Sequence, residues 1–248
     1  MAREPGCRMG EVEQMIRYAY WNSGCTGIVV GVSGGVDSAV AAAFCCRAIG
    51  PDKVLGVSLP TSVSKPQDAQ DAADLCAALG MEHRVIPIDP MLAAFKTLPG
   101  YVESPYLLGN LMARIRMTVL YYYANRDNRL VCGTSNRSEC LLGYCTKYGD
   151  NAADFQPIVH LYKSDVYEVA REMKIPEPIL TKVPSAGLWA GQSDEGEIGL
   201  SYAEIDKALR NLEANGWKAK TPAEEKVLAR AEKNAHKRLA VPSLLTVP

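Results

Sequence analysis

The β-branched run Thr26–Val32 breaks directly into Ser33-Gly34-Gly35-Val36-Asp37-Ser38, and an alanine-rich stretch, Asp37–Ile49, follows up to Gly50-Pro51. A short apolar strand that turns through two glycines into a helix leaves few folds open to the chain. Glycines let the backbone take positive φ and approach a ligand closely. The helix start offers free N–H groups and a partial positive charge, which together hold anions. Gly31 and Val32 lead into the turn, and Ser33 and Ser38 add hydroxyl donors. Asp37 does not suit a pure anion site, because a carboxylate repels phosphate. It fits if Mg²⁺ lies between them, since that ion takes one or two carboxylates together with phosphate oxygens.

The flanking segments extend the pattern. A helix is expected over 10–22, with Val12, Met15, Ile16 and Ala19 on its apolar side. Val54–Leu59 reads as a second strand, Pro66–Leu79 as a helix stopped by Gly80, and Arg84–Ile88 as a third strand. A long helix opens at Ser104-Pro105 and runs to about Asn125, and Arg129–Cys132 is a fourth strand. Ser138–Tyr144, Ser164–Met173, Tyr202–Leu212 and Pro222–His236 read as further helices, and Pro184–Gly199 as a long loop. Strands alternating with helices predict an α/β fold: an open parallel sheet, doubly wound, with helices on both faces. No repeat or linker divides residues 1–248, so a single domain is expected.

Composition narrows the class. Of 248 residues, 48% are hydrophobic and 22% charged, with a net charge of −1, which excludes a disordered chain. That balance also argues against a nucleic-acid partner, which calls for basic excess. The longest apolar run, Ala39–Cys46, has eight residues, against roughly 20 for a membrane span. Arg3, Glu4, Arg8, Glu11, Glu13 and Arg17 leave no signal-peptide core near the start. None of the eight cysteines forms a C-x-x-C pair. Buried reduced thiols, and with them a cytoplasmic protein, are expected.

The turn is neither G-x-x-x-x-G-K-[ST] nor G-x-G-x-x-G. Five specified residues at about 0.06–0.07 each recur by chance near about 10⁻⁶ per start position. Ser33-Gly34-Gly35-Val36-Asp37-Ser38 resembles the SGGxDS loop of the N-type ATP-pyrophosphatases, which split ATP between its α and β phosphates. Further segments resemble the NAD synthetases, in the ammonia-using form without a glutaminase domain. They are Gly109-Asn110-x-x-Ala113-Arg114-x-Arg116-Met117, Gly133-Thr134-Ser135-Asn136-Arg137-Ser138-Glu139, Gly143-Tyr144-Cys145-Thr146-Lys147-Tyr148-Gly149-Asp150 with Asp154, and Pro184-Ser185-Ala186-x-Leu188 with Gln192-Ser193-Asp194-Glu195. His236-Lys237-Arg238 completes a likeness running from about residue 10 to 240.

Read without the resemblance, several of these residues have plain roles. Arg114 and Arg116 lie two apart on a helix and cannot share a face. Thr134 is a turn or cap residue, Glu139 compensates a helix start, and Lys147 and Lys163 are surface charges. His236 and Lys237 complement a helix C-terminus. The resemblance implies more. It places Gly31 to Ser38, Thr134, Lys163 and Ser185 on ATP, and Asp37 and Glu139 on Mg²⁺. It places Arg114, Lys147, Asp154, His236 and Lys237 on deamido-NAD, and makes Asp37 and Lys163 catalytic. The implied fold is Rossmann-like, of the adenine-nucleotide alpha hydrolase type.

The implied chemistry is amidation of deamido-NAD. Its nicotinate carboxylate attacks the α-phosphorus of ATP, pyrophosphate leaves, and ammonia displaces AMP from the mixed anhydride. Asp154 and Asp194 are candidates for the base that handles ammonium, and the 184–199 loop for a cover over the intermediate. A homodimer is implied, with the helix 105–125 and its Tyr121-Tyr122-Tyr123 run as a candidate contact. Two other readings use the same turn. A tRNA thiolase would want a reactive cysteine pair, for which Cys140 and Cys145 are available, and a nucleotide sensor would bind ATP without cleaving it.

Overall fold

The computed structural model describes residues 9–189 and 191–239. Cys7, the charged residues Arg3, Glu4 and Arg8, and the apolar tail Val241–Pro248 lie outside them.

Four parallel strands form the sheet: β1 (Gly27–Gly31), β2 (Val54–Ser58), β3 (Glu82–Val85) and β4 (Arg129–Cys132), in the order β3-β2-β1-β4. β1 is central. Ile28 faces Val54 on one side and Leu130 on the other. Side chains alternate across the pleat, so each face of β1 feeds a different core. Ile28 and Val30 pack with α1 (Met9–Ser23), α2 (Val36–Ile49), α3 (Pro66–Leu79) and α7 (Lys163–Glu172). Val29, with Leu55, Val57 and Val131, packs on α4 (Asp89–Phe95) and α5 (Pro105–Arg126). Helices therefore cover both faces, as the alternation predicts.

α2 carries the main packing load. Eleven of its fourteen residues are buried, so it is enclosed on all sides rather than amphipathic. Its run of small residues lets it lie close against β1 and β2 while Phe44, 1% exposed, fills the gap toward α1 and α7. A third apolar cluster joins α6 (Arg137–Leu142), α9 (Asp194–Ile198), α10 (Tyr202–Ala214) and α11 (Pro222–Lys233) around Leu142, Ile205, Leu209 and Val227.

The structure departs from the sequence reading in places. The third strand is Glu82–Val85, not Arg84–Ile88. It is an edge strand whose Glu82 and Val85 are exposed, so its pattern is polar. Ile86 and Ile88 still donate to Ser58 and Pro60, extending the pairing past Pro87 without regular strand geometry. The helix read to Tyr144 ends at Leu142, because Gly143 takes φ +61. The last helix stops at Lys233 and a separate 3₁₀ turn, Ala235–Lys237, follows. The loop 184–199 contains α9, capped by the Ser193 side chain. The short α8 (Glu177–Leu180) begins among the prolines Pro176 and Pro178, which read in sequence as the stop of the preceding helix, and α4 lies in a stretch given no element. The seven described cysteines are free thiols: Cys45, Cys46, Cys76 and Cys132 are buried, and Cys25, Cys140 and Cys145 half-buried. Among the described residues no helix is long and apolar enough to cross a membrane.

One polar link ties the edge of the sheet to its centre. Ser58 donates to the Val32 carbonyl at 2.8 Å, and its Oγ lies 2.9 Å from Nε2 of His83. The serine proton is thereby committed, so Nε2 of His83 is the donor. Burial holds the His83 imidazole below its ordinary value. A histidine lowered by folding takes up its proton more readily in the unfolded chain, so its contribution is present above about pH 6.5 and lost on acidification. We expect the urea midpoint of the wild type to fall more between pH 7.5 and 5.5 than that of His83→Gln, measured side by side.

Candidate active site

The strand order places a switch point between β1 and β4. From β1 the chain winds outward through β2 and β3, then returns to add β4 on the other side. In open α/β sheets ligands bind at the carboxyl ends of strands where the winding reverses. Here those ends are the 32–38 turn and the 133–139 segment. They open into a cavity of about 740 Å³.

The first turn is built for anions. Val32 continues β1 by donating to Val57. Gly34 then takes φ +78, and a Cβ there would lie 2.4 Å from the Asp68 carbonyl oxygen, so only glycine fits. Ser38 Oγ accepts from the Ser33 N–H at 3.2 Å and donates to the Gly35 carbonyl at 3.0 Å, closing the turn on itself. The Gly35 N–H points to Ser33 Oγ at 3.3 Å.

Asp37 sits at the start of α2 and Glu139 at the start of α6. Asn136 joins them: its side chain caps α6 by accepting from Glu139 N at 3.0 Å, and its Nδ2 donates to Asp37 Oδ1 at 2.9 Å. Lys163 lies between the carboxylates. Its Nζ is 2.5 Å from Asp37 Oδ2 and 3.2 Å from Glu139 Oε1, over the Tyr202 ring at 4.9 Å. The Lys163 side chain is 4% exposed, so the surface role that its sequence context allows is excluded. Its backbone N–H donates to Ser138 Oγ at 3.0 Å, and Ser138 in turn donates to buried Asp206. The start of α7 is thereby locked to α6.

The charges follow from burial. Burial alone would depress the Lys163 ammonium, but Asp37 and Glu139 outweigh it and hold it above its ordinary value. Burial raises the Glu139 carboxyl above the usual carboxylate range, and the neighbouring Asp37 and Asp194 add to this against the pull of Lys163. Asp194, 3% exposed, is also raised by burial. It accepts from Tyr144 and Tyr202 hydroxyls at 3.2 and 3.1 Å and from the Ala186 N–H at 3.0 Å.

The remaining expected residues divide into two groups. Thr134, Ser185 and Lys237 line the cavity with the turn and the carboxylate pair. Ser185 Oγ donates to Gln192 O at 2.8 Å and accepts from the Gly187 N–H at 3.1 Å, so its hydroxyl is spent within its own loop. Lys237 Nζ donates to Gly143 and Cys145 carbonyls at 2.8 and 2.7 Å. Arg114, Lys147 and Asp154 instead lie off the cavity wall. Arg114 donates to the Lys147 carbonyl at 3.2 Å, and Asp154 accepts from Tyr121 and from Val131 N–H. His236 is exposed.

Sequence reasoning missed part of the wall. Arg116, not Arg114, lines the cavity, where burial lowers its guanidinium and its Nε donates to Leu59 O at 3.1 Å. Asn110, which the sequence sets beside Arg114 as a weaker substrate candidate, also lines it and accepts from Thr146 Oγ1 at 3.0 Å. Asp150 lines the cavity as well; desolvation raises its carboxyl, and it accepts from Thr146 N at 2.7 Å. The two-residue spacing of Arg114 and Arg116 did signal that just one of them could face inward. The sequence reads Arg116 as the solvated or ion-pair arginine and Arg114 as the ligand-facing one; the cavity lining has them the other way round.

Fold and site together define a doubly wound α/β protein with a glycine turn and a helix N-terminus at its switch point. A model described as NAD synthase matches residues 9–241, and the chain belongs to that family. The NH(3)-dependent NAD(+) synthetase of Methanoregula boonei is 83% identical over the whole of both chains. That of Archaeoglobus fulgidus is 45% identical over 90% of each. Among solved structures, the NMN synthetase from Francisella tularensis superposes with a TM-score of 0.89 at 38% identity, covering 98% of this chain and 100% of that one. The NH3-dependent NAD synthetase from Campylobacter jejuni, in complex with the nitrate ion, gives 0.84 at 36% with the same coverage.

Asn136 serves a cap and a carboxylate at once, and substitution separates the two roles. Asn136→Asp keeps a good N-cap but sets a third negative charge against Asp37. Because Asn136 is fully buried, we expect the melting temperature of this variant to fall further than that of Asn136→Ala, and ATP-dependent turnover to fall about tenfold or more, equivalent to ~1.4 kcal/mol. Asn136→Ala loses both, with ~1 kcal/mol of stability as well.

Proposed function

We infer that the protein is a carbon–nitrogen ligase that amidates deamido-NAD with ammonia, converting ATP to AMP and pyrophosphate. The observation that carries this reading is the convergence of Asp37 and Glu139, from the ends of β1 and β4, on one ammonium beside a lysine-free anion turn. Membership of the NAD synthase family supports it.

The donor set fits Mg²⁺, which Asp37 and Glu139 would hold together with phosphate oxygens. Two carboxylates reach one point, yet among the described residues no group of three or more His, Cys, Asp or Glu could hold a metal alone. An ion held by Asp37 and Glu139 therefore needs further oxygens, which nucleotide phosphates provide. When bound, Mg²⁺ neutralises charge on the phosphates of the departing pyrophosphate.

The chain's own groups do the rest. The turn 33–38 grips the phosphates through Ser33, Ser38 and the N–H groups at the start of α2. Lys163 shares its ammonium between the carboxylates and the phosphates. Thr134 and the Ser185 loop flank the nucleotide, and Lys237 with Arg116 adds positive charge to the wall. The nicotinate carboxylate is itself the nucleophile, so no side chain must attack; orientation supplies the rate. For ammonium, the raised, enclosed carboxylate of Asp194 is the better acceptor of a proton. Asp154 lies off the cavity wall, tied to Val131. Arg114, Lys147 and Asp154 serve deamido-NAD where that substrate extends beyond the cavity, and His236 its margin.

The described thiols, all free, support a reducing, cytoplasmic setting. Exposed Tyr106, Leu107 and Tyr122 on α5 support a homodimer built on that helix, and the chain works as one catalytic domain. A thiolase would need an accessible, acidic thiol. Burial instead raises Cys140 and Cys145.

The test is direct. Protein, Mg-ATP, deamido-NAD and ammonium together should yield NAD and AMP in equal amounts, and a folded sample that makes no NAD refutes the assignment. Lys163→Met leaves two half-buried carboxylates facing each other uncompensated. We expect it to lose activity and ~3–5 kcal/mol of stability, with added Mg²⁺ raising its melting temperature more than that of the wild type.

A further inference from the structure

Lys182 belongs to none of the residues assigned so far. It stands just before the Pro184–Ser185 segment, in a loop where a lone lysine carries no sequence signal. Its Nζ donates to the Gly34 carbonyl at 2.8 Å and to Asp68 Oδ1 at 2.8 Å, and lies 2.5 Å from Asp71 Oδ2. Asp68 and Asp71 belong to the first two turns of α3. Asp71 is 4% exposed, and its other oxygen accepts from Gln67 Nε2 at 2.8 Å. The ammonium is thus anchored by two carboxylates and spends a remaining proton on one backbone oxygen of the anion turn.

That oxygen matters because of peptide geometry. In a trans peptide the C=O of one residue and the N–H of the next point in opposite directions. Holding the Gly34 carbonyl onto Lys182 therefore turns the Gly35 N–H the opposite way, onto Ser33 Oγ; Gly35, Ser33 and Lys182 all line the cavity. Gly34 and Gly35 have no side chain to resist rotation of the plane between them. Turned over, the same plane would present a carbonyl oxygen to an anion. The α3 backbone blocks a Cβ at Gly34, so a bulkier residue cannot supply the missing rigidity.

We propose that Lys182 is a positioning residue for the nucleotide phosphates, fixing the Gly34–Gly35 peptide plane so that its N–H faces them. It also pins the start of the 184–199 loop to the anion turn and α3. The proposal rests on the reading that the 33–38 turn binds the ATP phosphates.

Steady-state kinetics with ATP and deamido-NAD varied separately test it. Lys182→Met in an Asp71→Asn background removes the ammonium without leaving Asp71 charged and alone. KM for ATP should rise about 10–100-fold, the range a charge-assisted hydrogen bond carries. KM for deamido-NAD should stay within about twofold, under ~0.4 kcal/mol. Lys182→Arg, whose fork also reaches a carbonyl and carboxylates, should restore most of the ATP affinity. A lower melting temperature with an unchanged ATP KM, or equal rises in both KM values, overturns the proposal. If the double variant does not fold, Lys182→Arg and Asp68→Asn decide it: an ATP KM near wild type for the first and raised for the second supports the role, and an unmoved KM in Asp68→Asn refutes it. Ser33→Ala and Ser38→Ala test the turn by itself. If neither moves the ATP KM while NAD is still formed, the reading of the turn fails, whatever Lys182 does.

Discussion

The ammonium of Lys163 between Asp37 and Glu139 is the interaction on which the centre of the molecule depends. Two carboxylates brought together at adjacent strand ends repel each other, and partial burial strengthens that repulsion. A buried lysine alone would shed its proton. Together they are stable, because each supplies what the others lack. The strand order sets up this meeting, since β1 and β4 lie side by side only when the winding reverses. Asn136 then fixes the spacing with one amide, capping α6 with its oxygen and holding Asp37 with its nitrogen.

Much of this was legible in the residues. The glycine turn after a β-branched strand gave the switch-point strand its place, and the alternation of strands and helices gave the two-sided sheet. The edge strand was misplaced because Glu82 and Val85 face solvent, so no apolar alternation marks them. The short helices α8 and α9 were missed because prolines and glycines around them read as breaks, and α4, seven residues long, because its stretch carried no periodic signal. Proline is nonetheless comfortable in a first helical turn, which is where Pro90 and Pro178 stand.

Among the site residues, the turn alone followed from local pattern, because a strand running through glycines into a helix start carries a signature. Glu139 read locally as no more than compensation of a helix start, and it and Lys163 came from the family likeness; Asp194 and Arg116 had no local signature either. Their importance comes from what other elements place around them, and a lysine before a helix looks the same whether it is exposed or enclosed. Arg114 and Arg116 illustrate the limit well. Spacing shows that they point apart, but only the packing of α5 on β1 and β4 decides which one faces in. The family likeness placed Arg114, Lys147 and Asp154 on one substrate; Arg114 meets Lys147 and Asp154 meets Tyr121, and none of the three is on the cavity wall.

The parallel order β3-β2-β1-β4 also has a bearing on how the chain comes to its native state. Asp37 and Asn136 touch although 99 positions separate them, and Lys163 is 126 positions beyond Asp37. During synthesis the first three strands and their helices emerge well before either partner exists. The glycine turn is then a half-made pocket whose acidic member has no neutralising neighbour. Closing so large a stretch of chain is slow, so the late arrival of β4 and α7 sets when the molecule first becomes competent for its chemistry, and an abortive fragment ending before residue 163 carries the anion grip without its cation.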